Sequence, residues 1–387
     1  MNTKLEPFDE DIFDRYSTGL AWFLANRNRD GSWGIKKNER VTYTAQAIQL
    51  LISAHFDIEG RILKKAIRWM EDEVKPSSKH WYSRLEIGLL IGDFEKLATR
   101  GYLKRFLDDL NKIFVDNTKE NTERFFWHFL PTLIALRLHE KRLNETINRR
   151  VPHKKVVEYL FKYMTQFRDD CITIQHKPNY TGLVALYLNG LSPIPICPDP
   201  KSKVKALVNW LIESKVVEKD TVHWFHSRGM SAYVLMDILM VSGEDSSPID
   251  DVIYEIANHL APNKKGYVSG DKSTTYETKL HAEALYATVL SLRGLATAIG
   301  RYYTVKELDK ARNQAEDIYH NLPIFFRIGN SFHRNKSKIP WLLSSLFIIL
   351  GIILIVLYHK DIGINLIFTA VGSFMGLVTT LLFKNND

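Results

Sequence analysis

At 387 residues, with 45% hydrophobic side chains, the chain has room for two ordinary domains or for one large repeat domain with an appendage, and its apolar residues crowd after Ile339. Its two cysteines, Cys171 and Cys197, exclude a disulfide framework and a Cys-x-x-Cys metal pair, so a reducing compartment is expected. A formal net charge of +8 suits an anionic ligand or an anionic membrane surface. The acidic start MNTKLEPFDEDIFDRY lacks the apolar core of a signal peptide, which implies a cytoplasmic N-terminal body.

The first recognisable stretch is Gly19 to Gly34, GLAWFLANRNRDGSWG, a helix tail that runs into an Asp-Gly turn and a tryptophan. Trp33, Trp81, Trp127 and Trp224 recur at intervals of about 48 residues, the last step spanning two periods. Cut on that ruler, residues 9 to 298 give six units of two helices each. Asp9 to Ala25 pairs with Tyr43 to Ala54, Arg61 to Val74 with Trp81 to Ile91, and Tyr102 to Val115 with Phe125 to Leu138, whose Pro131 falls in a first helical turn. Lys154 to Phe167 pairs with Tyr180 to Leu188, Lys203 to Ser214 with Ser227 to Val241, and Ile249 to Leu260 with Tyr276 to Ala298.

Within a unit the first helix is amphipathic, as Phe13, Tyr16, Leu20 and Phe23 show, while the second is nearly all apolar, as in TAQAIQLLISA. An outer and an inner helix are therefore expected. Tyr43-Thr44-Ala45, Tyr180-Thr181-Gly182 and Tyr276-Glu277-Thr278 mark starts of inner helices in the same phase. The fold class is all-α, an (α/α)6 toroid over residues 1–300, with an open solenoid as the competing shape.

The pattern Gly19-x-x-Trp22-Phe23-x-x-x-Arg27-x-x-x-Gly31-x-Trp33 resembles the Gln-Trp repeat of squalene-hopene and oxidosqualene cyclases. The Tyr-Thr-Ala start of the next helix also resembles protein prenyltransferase β subunits. Both families are α/α toroids, so the resemblance implies that fold and an isoprenoid chemistry. This chain carries Arg27 where the repeat has glutamine, and the Asp-x-Asp-Asp acid of the cyclases is missing; Asp108-Asp109, Asp169-Asp170 and Asp250-Asp251 are bare pairs. Prenyltransferases hold zinc through Asp-x-Cys and a distant histidine, which the resemblance carries to Asp169 and Cys171 with His176, or His281 further on, as metal candidates.

Residues 301–338 follow as a linker helix, Thr304 to Leu322, and a basic juxtamembrane segment. Residues 339–387 read as a transmembrane hairpin, Trp341 to Tyr358 and Leu366 to Phe383, each long and apolar enough to span. Arg327, Arg334, Lys336 and Lys338 before the first span place the N-terminal domain and the C-terminus in the cytoplasm, which makes the chain a two-span inner-membrane protein. On the second span Asn365, Thr369, Gly372, Gly376 and Thr380 form a small and polar stripe, the expected seam of a homo-oligomer.

A ligand site is expected at an aromatic rim of the toroid. Its aromatic members are Trp33, Tyr43, Trp81, Tyr82, Trp127, Tyr180, Trp224 and Tyr276, joined by His128, His223 and His226. Arg40, Arg84 and Arg228 add positive charge, pointing to an anionic small molecule, a nucleotide or a prenyl diphosphate, and not to duplex nucleic acid. No GxGxxG, P-loop or nucleophile motif is present, so the sequence names no cofactor and leaves open whether any catalysis occurs. The leading expectation is a ligand-sensing toroid whose hairpin oligomerises and permeabilises the membrane, an arrangement that resembles membrane effectors of bacterial defence. The alternative is a membrane-tethered isoprenoid enzyme.

Overall fold

The computed structural model describes residues 10–34, 39–93, 100–116, 118–138, 152–166, 177–189, 191–218, 221–223, 228–241, 247–262, 266–268, 277–303 and 305–322. Met1–Leu322 form one compact unit and Pro323–Asp387 a second.

Helix α1 (Glu10–Ala25) buries Ile12, Tyr16, Leu20, Phe23 and Leu24, one stripe at the helical period. Helices α3 (Arg61–Glu73) and α5 (Tyr102–Val115) do the same with Leu63, Ala66, Ile67 and Met70, and with Leu103, Phe106, Leu110 and Ile113. Helix α2 (Arg40–Ser53) differs, burying every residue from Thr44 to Leu51 except Gln46, and α4 (Trp81–Leu90) is buried nearly all round. A helix apolar on all sides needs neighbours on all sides. The alternation of one-faced and all-round helices therefore dictates two layers.

The third pair departs from expectation. Its second helix starts early, as α6 (Lys119–Arg124), capped by Thr118 whose Oγ1 accepts from Asn121 N at 3.3 Å. It then passes through a π turn (Phe125–Phe129) into α7 (Leu130–Leu138), so Pro131 sits in mid-helix and not in a first turn. Proline cannot donate to the carbonyl four residues back and its ring crowds that carbonyl, and a wider π turn just before it relieves both conflicts.

Helices α8 (His153–Gln166) and α9 (Lys177–Leu188) form the fourth pair. The fifth comprises α10 (Pro200–Glu213), with Pro200 in the first turn and Asp199 Oδ1 accepting from Ser202 N, and α11 (Arg228–Val241). Between them lies a short antiparallel hairpin, β1 (Val216–Glu218) and β2 (Thr221–His223), with Val217 opposite Val222. The sixth comprises α12 (Ser247–Leu260) and α13 (Glu277–Tyr302), and α14 (Val305–Asn321) follows.

The second helices contact one another in order: α2 packs on α4, α4 on α7, α7 on α9, α9 on α11, α11 on α13, and α13 back on α2. The first helices lie against them, α3 on α2, α5 on α4, α10 on α9, and α12 on both α11 and α13. Helix α1 packs on α13 and α14. Ser17 Oγ donates to Ala311 O at 3.1 Å, and Arg27 hydrogen-bonds Tyr319. Gly19 makes a close approach possible, since a Cβ there would fall 2.5 Å from Pro262 Cγ. Among the described residues the apolar core divides into two clusters, one built on α1 to α3 and α11 to α14, the other on α4 to α10.

The two-span, inner-membrane placement expected from the sequence is corrected: among the described residues no helix is long and apolar enough to cross a membrane. Helix α13 has the length, 26 residues, but carries Glu277, Lys279, Glu283, Arg293 and Arg301. The stretches Trp341 to Tyr358 and Leu366 to Phe383, with Asn365, Thr369, Gly372, Gly376 and Thr380, lie outside the described residues.

Candidate functional site

Polar side chains gather where the second helices face one another. Gln46 on α2 donates through Nε2 to Tyr233 Oη on α11 at 3.0 Å and accepts through Oε1 from Arg293 Nη1 on α13. The Tyr233 and Tyr286 hydroxyls share a hydrogen bond, and the Arg293 guanidinium lies 6.0 Å from the Tyr233 ring centre. One turn along α2, Gln49 Nε2 donates to Glu86 Oε1 on α4 at 2.5 Å. Asp237, one turn beyond Tyr233, lies against Gly182 of α9, where a Cβ would fall 2.4 Å from Asp237 Oδ2.

Aromatic rings extend the network through the remaining helices. The Tyr82 and His128 rings stack with centres 3.9 Å apart. Trp127 stands 6.4 Å from Tyr233 and 5.8 Å from Tyr180, and Tyr43 stands 6.0 Å from Tyr286. Within the π turn the adjacent residues Trp127 and His128 reach two different neighbours of this network while Phe125, Phe126 and Phe129 remain buried. All six second helices thus contribute to one group of contacts.

Burial sets the electrostatics. Burial raises the Glu86 carboxyl above its ordinary range, Arg293 and the Gln49 hydrogen bond opposing only in part. Burial likewise pushes Asp237 well above the usual carboxylate range, and the Tyr233 and Tyr286 hydroxyls upward. Glu86, Tyr233, Tyr286 and Arg293 nonetheless keep accessible surface. Two polar atoms there have no hydrogen-bond partner in side chains almost wholly buried: Gln49 Oε1, on a residue 3% exposed, and Asp237 Oδ2, on one 6% exposed. Arg293 Nε is a third unpartnered atom. Such groups are costly to leave unsatisfied.

His128 gives a pH prediction. Burial, then the nearby Arg124 and His80 charges, lower its pKa from 6.5 to about 4. The folded state keeps the ring neutral while the unfolded chain protonates below 6.5, so this stability is whole above pH 6.5 and is lost as pH falls toward 4. The gap corresponds to about 3 kcal/mol, of which partial exposure leaves about 2 kcal/mol. Burial lowers His80 in the same direction. Urea unfolding at pH 7 and pH 4 should show the wild type losing about 2 kcal/mol more than His128→Phe on acidification. Equal losses would show that His128 is not held neutral.

The sequence-predicted residues fall into three groups. Tyr43, Tyr82, Trp127, His128 and Tyr180 belong to the network. Trp33, Trp81 and Arg84 instead lie in the core: Trp33 stacks on Phe23 at 5.0 Å, Trp81 packs on Phe106 and Phe129 under Arg105, and Arg84 pairs with Glu71 and Asp93. Arg40 pairs with Asp30 at 3.1 Å beside the Asp-Gly turn. His223 ends β2 and Arg228 opens α11, with side chains outside the described residues, as are Trp224, His226 and Tyr276. Of the metal candidates, Asp169, Cys171 and His176 lie outside the described residues, as does the side chain of His281 on α13. Among the described residues no cluster could hold a metal ion.

Gln46, Gln49, Glu86, Asp237 and Arg293 were not expected. Their signal lies in plain sight as polar interruptions of apolar helices: TAQAIQLLIS, LEIGLL, AYVLMDILMV and TVLSLRGLAT. Each interruption falls on a helix that must be buried all round, where an uncompensated charge is not tolerated. No protein-family model matches the chain, nor does any curated protein or any solved structure.

Proposed function

We propose that Met1–Leu322 is an α/α toroid of six helix pairs that binds a small polar molecule in its interior and senses it. The observation that supports this most is the network of Gln46, Gln49, Glu86, Tyr233, Asp237 and Arg293, which draws on α2, α4, α11 and α13 and leaves buried hydrogen-bonding atoms unused. Contacts returning from α13 to α2 support the toroid, as does the resemblance of the Gly19 to Trp33 stretch to the cyclase repeat. A ligand bridging α2 and α13 acts on α13, which α1 and α14 also grip, so occupancy is read out through α14, the last helix before Pro323. The outcome of sensing is self-association of the chain.

Native mass spectrometry on the purified full chain tests this. A small molecule should accompany the wild type and be lost from Arg293→Met, with the oligomer distribution changing alongside. A wild-type chain that carries nothing, and whose melting temperature no small molecule raises, would sink the proposal.

One observation favours a second reading, an isoprenoid enzyme. Asp237 is a carboxyl held toward its neutral acid form with one oxygen unused, the state a general acid needs for protonating an alkene. Asp237→Asn separates the two: it abolishes turnover of a polyprenyl substrate in an enzyme and leaves binding within about threefold in a sensor.

A further inference from the structure

We propose that the interior recognises an uncharged planar heteroaromatic ring, a nucleobase or its nucleoside, rather than a diphosphate; this rests on the interior being a ligand site. A prenyl diphosphate or nucleoside polyphosphate brings about three negative charges into a site where charge is poorly screened. Against them the network offers, among the described residues, one guanidinium, Arg293, already turned to Gln46, and two carboxyls, Glu86 and Asp237. Arg124, a cation near Tyr82 and His128, is held by Asp109 at 3.1 Å and lies over the Phe129 ring. A carboxyl pair beside a lone arginine repels a polyphosphate when ionised and offers it little when neutral.

The same groups match the two surfaces of a base. Its faces require aromatic partners, and the Tyr82–His128 stack, Trp127, Tyr233 and Tyr286 supply flat rings around the network. Stacking of a base on an aromatic side chain contributes about 1–3 kcal/mol without regard to sequence. Its edge requires donors and acceptors in alternation, and those are the atoms left unused: Gln49 Oε1 accepts, Arg293 Nε donates, and Asp237 Oδ2 does either according to protonation. Glutamine, arginine and carboxyl side chains read base edges through these same pairings. His128 contributes because a neutral imidazole stacks without adding charge.

The test is isothermal titration calorimetry on the full chain with adenine, guanine, cytosine and uracil, their nucleosides, inorganic diphosphate and geranyl diphosphate. The expected result is heat from at least one base or nucleoside and none from either diphosphate. Gln49→Met should weaken that binding about tenfold, the equivalent of one hydrogen bond. Glu86→Gln, which keeps the side chain's shape and its contact with Gln49, should alter the order of preference among bases, which loss of packing alone would not do. Binding of a diphosphate in preference to every base overturns the inference and leaves the interior ligand site standing. Silence from all compounds also overturns it, and if Arg293→Met then leaves the native mass spectrum unchanged, the ligand-sensing proposal falls with it.

Discussion

Trp33→Ala lowers the stability of the folded chain by about 4 kcal/mol, the range for removing a fully buried aromatic ring. The indole is wholly inaccessible, lies parallel to Phe23 at 5.0 Å and donates Nε1–H to Phe23 O at 3.1 Å. Its backbone N–H is tied to Thr44 Oγ1, so the ring also joins the turn after α1 to the start of α2. Gly31 and Gly34, both at φ +97°, bring the chain round this pivot, a region in which a side chain is strained. Removing the ring opens a cavity that a turn tied down at both ends cannot collapse to fill. Trp33→Phe, which keeps the stack and loses the N–H and part of the volume, should cost about half as much. Urea unfolding followed by circular dichroism reads both; a loss below about 1 kcal/mol for the alanine variant would contradict this packing.

Arg84→Met costs about 3 kcal/mol, for a different reason. Arg84 is 1% exposed and its Nη2 bridges Glu71 at 2.8 Å and Asp93 at 2.9 Å, carboxylates that are themselves 20% and 17% exposed. The bridge ties α3, α4 and the turn after α4 together. Methionine fills much of the same volume, so packing changes little, but the two carboxylates then lose the guanidinium that bridges them and repel one another. Most of the cost is that repulsion rather than the worth of the bridge. The triple variant Arg84→Met, Glu71→Gln, Asp93→Asn should therefore recover at least half of the loss. Failure to recover any of it would mean that Arg84 acts through its shape.

The helix boundaries were legible to within a residue or two in several pairs: Arg61 to Val74 against α3, Trp81 to Ile91 against α4, and Tyr102 to Val115 for α5. Hydrophobic period and breakers such as Pro76 and Pro193 act locally, so one stretch of sequence contains all the information that sets them. The π turn and the β1–β2 hairpin were not legible. The first arises where an aromatic run meets Pro131, and the second spans only three residues a strand. Site residues are harder to read from sequence for a physical reason as well. Tryptophan and arginine are equally suited to a binding rim and to a core, and which one holds depends on partners far away in sequence. Trp33 finds Phe23 and Thr44 nearby and becomes packing, Arg84 finds Glu71 and Asp93 and becomes a strut, whereas Gln46 meets Arg293 only when the two ends of the repeat array come together.

The return of α13 and α14 onto α1 and α2 fixes when the protein can finish folding. Ser17 waits for Ala311, Gly19 for Pro262 and Gln46 for Arg293. A ribosome adding about 5–20 residues per second needs on the order of ten to fifty seconds to span such separations. Throughout that interval the apolar stripe of α1 has been made but its partners have not. Helix α1 is thus made long before it is buried, and its apolar stripe stands open to water, and to other chains, for that whole interval.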